Sequence, residues 1–160
     1  MLTIIIMGSP SDQPIADKIT QALDEFGLPW DLRVASAHKV PQYVLEMLET
    51  YENDPRPKVY ITIAGRSNAL SGLIDAQVQS PVIACPPYSD KFAGGDVYSS
   101  LRMPSGVAPA VILEPANAAL LAAKILSLAD PDLRQRVREA QEKHRQRLLA
   151  ADEAVHKKDE

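Results

Sequence analysis

The stretch Leu2-Thr3-Ile4-Ile5-Ile6-Met7-Gly8-Ser9-Pro10-Ser11-Asp12 passes from an unbroken apolar run straight into a small polar loop. A continuous run with β-branched residues at its centre is the pattern of a strand covered on both faces. The next segment has a helical pattern: Ile15, Ile19, Leu23 and Phe26 recur at helical spacing over 14–26, and Gly27 is a natural stop. An open α/β sheet presents its ligand crevice at such a place, outside the carboxyl end of a strand. The loop offers backbone N–H groups and the helix start adds partial positive charge, which together suit a phosphate. The hydroxyls of Ser9 and Ser11 add donors, whereas Asp12 would repel a phosphate and sits better on ribose hydroxyls. Ser11 and Asp12 are also favoured N-caps, and capping is compatible with binding.

Working outward, strand and helix patterns alternate. Residues 30–35 read as a second strand, and Pro41 opens a second helix with Val44, Leu48 and Tyr51 on its buried face. Residues 53–57 break that helix before a third strand over 58–64. A helix over 69–78, a short strand over 81–85, a fifth strand over 111–113 and an alanine-rich helix over 116–128 complete the series. Regular βαβ alternation implies parallel strands joined by right-handed crossovers. The expected fold is α/β: a flavodoxin-like three-layer α/β/α sandwich with a parallel sheet, plus a C-terminal helix. Residues 1–130 are assigned to this α/β catalytic domain, and 131–160 to a charged helical extension of it.

Two segments do not fit a bare sandwich. Residues 86–106 form a long connection broken by proline and glycine, and connections of that length are usually functional or belong to an interface. Residues 132–155 read as a helix dense in both signs of charge, with Leu133, Val137, Ala140, Leu148 and Leu149 as its few apolar positions. Such a helix is expected to pack on a neighbouring subunit or to lie solvated.

Composition narrows the function classes. At 160 residues the chain has the size of one domain and can bury a core without disulfide or metal. One cysteine, Cys85, excludes an internal disulfide and fits a reducing compartment. A net charge of -4 argues against general nucleic-acid binding, which leans on a basic surface. No run is long enough for a membrane span, and none has the flanks of a signal peptide. A cytoplasmic protein is expected. With no Cys/His cluster, no metal site is read.

Ser36-Ala37-His38-Lys39 comes directly after the second strand. Its loop opens toward the same carboxyl edge as the Gly8 loop. Histidine is the side-chain type matched to proton transfer near neutral pH, and lysine supplies a point charge for a phosphate. A lone loop histidine is more often a surface residue, but the strand-end position beside Ser36 and Lys39 raises its standing. After the third strand comes Ala64-Gly65-Arg66-Ser67-Asn68, which permits close backbone approach at Gly65 and ends in a plausible helix cap. Three polar loops at one sheet edge would converge on a pocket for an anionic, phosphorylated small molecule. They could equally just turn the chain and cap helices.

These three loops together resemble the PurE family of purine biosynthesis, which interconverts 5-aminoimidazole ribonucleotide and its 4-carboxylated product. The resemblance runs from about residue 4 to 128. One branch of that family, the bacterial-type mutases, typically carries Ser-Ala-His-Arg and a histidine-bearing third loop. Here Lys39 succeeds His38 and Ala64-Gly65-Arg66-Ser67-Asn68 holds no histidine. Ala84-Cys85-Pro86-Pro87 and Asp96-Val97-Tyr98-Ser99-Ser100-Leu101-Arg102-Met103-Pro104-Ser105-Gly106 also look like the second branch, which uses carbon dioxide directly (class II).

The resemblance implies roles. Ser9, Ser36 and Lys39 would hold the phosphate, Asp12 the ribose hydroxyls, and Gly65 and Ser67 the end of the pocket where ring meets carbon dioxide. His38 would be the general acid/base, with no metal and no cofactor. Pro10 departs from the usual small or polar residue and removes one N–H donor. Family members form octamers with sites between subunits, so a homo-oligomer, an octamer, is expected, with a ribonucleotide and carbon dioxide as small-molecule partners. The rival readings are the mutase activity and a non-catalytic nucleotide-binding module.

Overall fold

The computed structural model describes residues 1–156, at residue 91 in its backbone alone. Five parallel strands form one sheet: β1 (Leu2–Met7), β2 (Trp30–Val34), β3 (Lys58–Ile63), β4 (Val82–Ala84) and β5 (Ala110–Val111), in the order β2-β1-β3-β4-β5. The helices are α1 (Gln13–Glu25), α2 (Pro41–Glu52), α3 (Ala69–Asp75), α4 (Tyr98–Leu101), α5 (Pro115–Leu126) and α6 (Pro131–His156).

Strands β1 and β3 are buried at every position, as their unbroken apolar runs require. Because successive side chains of a strand point to opposite faces, β1 feeds two cores. Ile5 and Met7 join α1, α5 and the start of α6 through Ile19, Leu23, Ala119, Ala122 and Leu133. Ile4 and Ile6 join α2 and α3 through Val44, Leu48, Leu70 and Ile74. The result is the flavodoxin-like three-layer sandwich, with a topological switch where β1 lies between β2 and β3.

Several boundaries differ from expectation. Strand β2 stops at Val34, and as an edge strand it is covered less than β1 and β3. Strand β5 is set by its ladder to β4, which pairs Ile83 with Ala110 and Ala84 with Val111, so it starts before 111 and ends there. Helix α3 ends at Asp75, short of 78, and α5 starts on Pro115 in its first turn and ends at Leu126. The 86–106 connection is not bare loop: it contains a run of tight turns (Lys91–Val97), kinked where Phe92, Ala93 and Gly94 take positive φ, and α4.

Helix α6 corrects a larger expectation. Its first turns dock on their own chain: Leu133 and Val137 are buried in the α1/α5 core, and Arg136 Nε donates to the Phe26 carbonyl at 2.8 Å. Gly27, with φ of +61°, turns the chain beneath that arginine. Farther along, Leu148 and Leu149 are 67% and 58% exposed. Residues 157–160 of the expected extension lie outside the described residues. No helix among the described residues is long and apolar enough to cross a membrane.

Candidate active site

The sheet aligns the first three loops. Met7 pairs with Val34 on one side and Ile63 on the other, so the loops after β1, β2 and β3 leave the sheet at one level. Two backbone bonds extend the alignment beyond the strands: the Gly8 amide donates to Ile63 at 2.8 Å, and the Ala35 amide to Met7 at 2.8 Å. Above this edge lies a cavity of about 580 Å³. Ser9, Asp12, Ser36, His38, Lys39, Gly65 and Ser67 all line it. The sequence nominated these seven, and the fold brings them to one place.

The first loop is a 3₁₀ turn (Pro10–Asp12) capped by Ser9. The Ser9 hydroxyl accepts from the Ser11 amide at 3.3 Å and the Ser11 hydroxyl at 2.8 Å, while the Ser9 amide donates to Asp12 Oδ2 at 3.0 Å. Capping therefore falls to Ser9; Asp12 precedes α1 without a side-chain cap bond to it. Pro10 takes a first-turn position where an N–H would have no helical partner. Burial raises the Asp12 pKa above its ordinary value, and the bond from the Ser9 amide opposes that rise. With both Ser11 donors aimed at its oxygen, the Ser9 hydroxyl keeps its own proton for an outside acceptor.

The second loop is a tight turn in which the Ser36 carbonyl accepts from the Lys39 amide at 3.2 Å and the Val40 amide at 2.9 Å. That turn holds His38 and Lys39 at the cavity wall. Pro41 then starts α2.

In the third loop Arg66 has a φ of +56°, a left-handed conformation uncommon outside glycine. Asn68 caps α3 by accepting from the Ser71 amide at 3.2 Å. A Cβ on Gly65 would lie 3.3 Å from Pro87 Cγ, so glycine lets the 87–89 segment close against the loop. Among the described residues, the amides of Gly65, Arg66 and Ser67 donate to no acceptor within the chain. A left-handed residue in such a run turns neighbouring amides toward one anion.

Arg66 of the third loop also lines the cavity, and so does a far wall of Pro87, Tyr88, Ser89 and Asp96, none of which was named as a site residue from sequence. Asp96 Oδ2 is buried without a hydrogen-bond partner among the described residues. The signals for this wall were the unusual length of the 86–106 connection and the family resemblance of the stretches that end at Pro87 and begin at Asp96. Cys85, at the end of β4, is fully buried, and burial helped by the Glu114 charge pushes its thiol up to about 12, so it offers no nucleophile near neutral pH.

Comparison with known proteins identifies the family. The family model described as AIR carboxylase matches residues 2–147. The chain is 54% identical over 151 residues to the phosphoribosylaminoimidazole carboxylase of Treponema denticola, covering 94% of this chain and 95% of that protein. To the phosphoribosylaminoimidazole carboxylase of Archaeoglobus fulgidus it is 52% identical over 155 residues, covering 97% and 85%. The crystal structure of Treponema denticola PurE superposes with a TM-score of 0.95 at 53% identity, covering 96% of this chain and 98% of that one. The match to the family model over nearly the whole chain, at this level of identity and fold agreement, shows that the chain belongs to the AIR carboxylase (PurE) family and is one of its enzymes.

Proposed function

We propose that the protein catalyses the reversible, direct carboxylation of 5-aminoimidazole ribonucleotide by carbon dioxide in purine biosynthesis. The observation that carries this is the meeting of seven residues of the first three strand-end loops around one cavity. The Ser9 hydroxyl proton, Ser36 and Lys39 bind the phosphate, and Asp12 accepts from the ribose hydroxyls through the carboxylate oxygen that Ser9 leaves free. The aminoimidazole ring then lies toward Gly65 and Ser67.

The ring is electron-rich, so its carbon 4 attacks the carbon of carbon dioxide and a C–C bond forms. Carbon 4 now bears a proton and a carboxylate, with the positive charge delocalised onto the ring and its exocyclic nitrogen. His38 removes that proton, the C–H electron pair returns to the ring, and aromaticity is restored. In reverse, His38 delivers the proton and the C–C bond breaks. A positioned base of this kind contributes about 10²- to 10⁴-fold in rate. The unpaired amides of the third loop stabilise the new carboxylate. A third loop without histidine favours carbon dioxide as substrate over transfer of a carboxylate from nitrogen.

A two-arm assay tests the proposal. One arm supplies 5-aminoimidazole ribonucleotide with bicarbonate-derived carbon dioxide; the other supplies the N-carboxylated ribonucleotide with carbon dioxide depleted. Carbon-dioxide-dependent product in the first arm is the expected result. Efficient conversion only in the second arm assigns the mutase reaction instead, and silence in both overturns the proposed reaction.

A further inference from the structure

Ser99 lies in α4, more than thirty residues along the chain from the third loop, yet its contacts fix that loop. Its Oγ accepts from the Asn68 amide at 2.9 Å, lies 3.0 Å from the Arg66 carbonyl and lies 2.7 Å from the Asp96 carbonyl. A serine hydroxyl has one proton and two lone pairs. It therefore receives Asn68 while donating to Arg66 or Asp96, one at a time. The residues on either side of Ser67 thus meet one oxygen, Asn68 through its amide and Arg66, the left-handed residue of the loop, through the carbonyl that shares the Ser99 proton with Asp96.

We infer that Ser99 is a positioning residue that sets the carboxylate end of the cavity by holding Arg66 and Asn68 in place. The inference rests on the carboxylation reading above. Left-handed backbone at a residue with a side chain costs free energy and persists only where the surroundings impose it. The Ser99 hydroxyl is the group outside the loop that contacts Arg66 itself, at its carbonyl, and the amides of Gly65, Arg66 and Ser67 depend on that conformation for their direction. The phosphate and ribose end is built from β1 and β2 loops that Ser99 does not touch. Its loss should therefore be felt by the carboxylated ribonucleotide and by the carboxylation transition state, and little by the uncarboxylated ribonucleotide. A neighbouring tie remains in a Ser99 variant: Asn68 Nδ2 donates to Ser100 Oγ at 2.9 Å, with both residues buried. That bond keeps α4 docked.

The test compares the parent enzyme with Ser99→Ala and Ser99→Thr. Steady-state carboxylation gives kcat and KM, calorimetry gives affinities for 5-aminoimidazole ribonucleotide and its 4-carboxylated product, and thermal unfolding checks integrity. For Ser99→Ala, kcat and product affinity should each fall about tenfold, the scale of one lost hydrogen bond, with KM and affinity for the uncarboxylated ribonucleotide within about twofold. Ser99→Thr, which keeps the hydroxyl, should restore both. Should the alanine variant fail to fold, Ser99→Cys takes its place with the same expected losses. Equal loss of both affinities, no loss at all, or a folded threonine variant as impaired as alanine overturns the inference. An active parent with an unimpaired alanine variant sinks this inference alone. A parent inactive with carbon dioxide sinks the proposed function and this inference with it.

Discussion

The Ser9 amide donates to the Asp12 carboxylate at 3.0 Å while the Ser9 hydroxyl caps the turn between them, so each residue fixes the other. The first loop is closed on itself by its own sequence, and Asp12 serves the fold and, in the proposed function, the ribose.

Those two duties separate in Asp12→Asn. Asparagine keeps an acceptor for the Ser9 amide and removes the partly buried charge. An acid whose folded pKa is raised favours the native state while protonated, below the ordinary value of 3.8, and that contribution is lost as pH rises through the higher folded value. The stability of Asp12→Asn relative to the parent should accordingly improve between about pH 4 and about pH 7. Urea midpoints at the two pH values measure this, and a parent that gains on the variant refutes it. Ribonucleotide affinity should fall about tenfold, since asparagine is a weaker acceptor than a carboxylate.

His38→Asn should lower kcat by about 10²- to 10⁴-fold and leave ribonucleotide affinity within about threefold. Single-turnover kinetics alongside calorimetry separate the two effects. A variant that turns over at the parental rate removes His38 from the chemistry.

Gly65→Ala brings a methyl group to 3.3 Å from Pro87 Cγ and 3.4 Å from Cδ. A proline ring has little freedom to yield, so the 87–89 wall must move away from the loop. The expected cost is about 1 kcal/mol of stability with a clear loss of turnover. Thermal unfolding and steady-state assays check it; a variant with unchanged stability and rate shows that the wall moves freely.

Helix α6 should divide energetically along its length. Leu133→Ala empties a site in the α1/α5 core and should cost about 2–5 kcal/mol. Leu148→Ala, on the exposed stretch, should change stability of the single chain by less than about 0.5 kcal/mol. Denaturant titration of the pair reads both, and a large loss at Leu148 would reveal that its face is covered by another copy.

The sequence was most legible where burial is two-sided. Strands β1 and β3 show as unbroken apolar runs because both faces are covered, and the loops behind them were found by counting from those runs. Strand β5 has two residues and no pattern of its own; its position is dictated by pairing with Ile83 and Ala84. Asp96 stood in a stretch read for its resemblance, but its place in the cavity was hidden for a different reason. It reaches the cavity through a segment where Phe92, Ala93 and Gly94 all have positive φ, and left-handed backbone at Phe92 and Ala93 leaves no mark in residue type. Arg66 was visible as a residue but not as a conformation. The docking of α6 was misjudged because two buried side chains, Leu133 and Val137, suffice to anchor a helix whose average character is charged.

The cavity has two walls of unlike origin. One is the edge of the central sheet, where three loops are spaced by the strand ladder itself, about 10 Å across from β2 to β3. The other is the 87–96 segment, which joins no ladder and exposes Tyr88 and Phe92. Amide exchange should register that contrast as two separate clocks: β1 and β3 opening only with the whole molecule, the 87–96 wall opening on its own. Substrate access and product exit can then proceed by local breathing of one side while the reacting groups on the other keep their register.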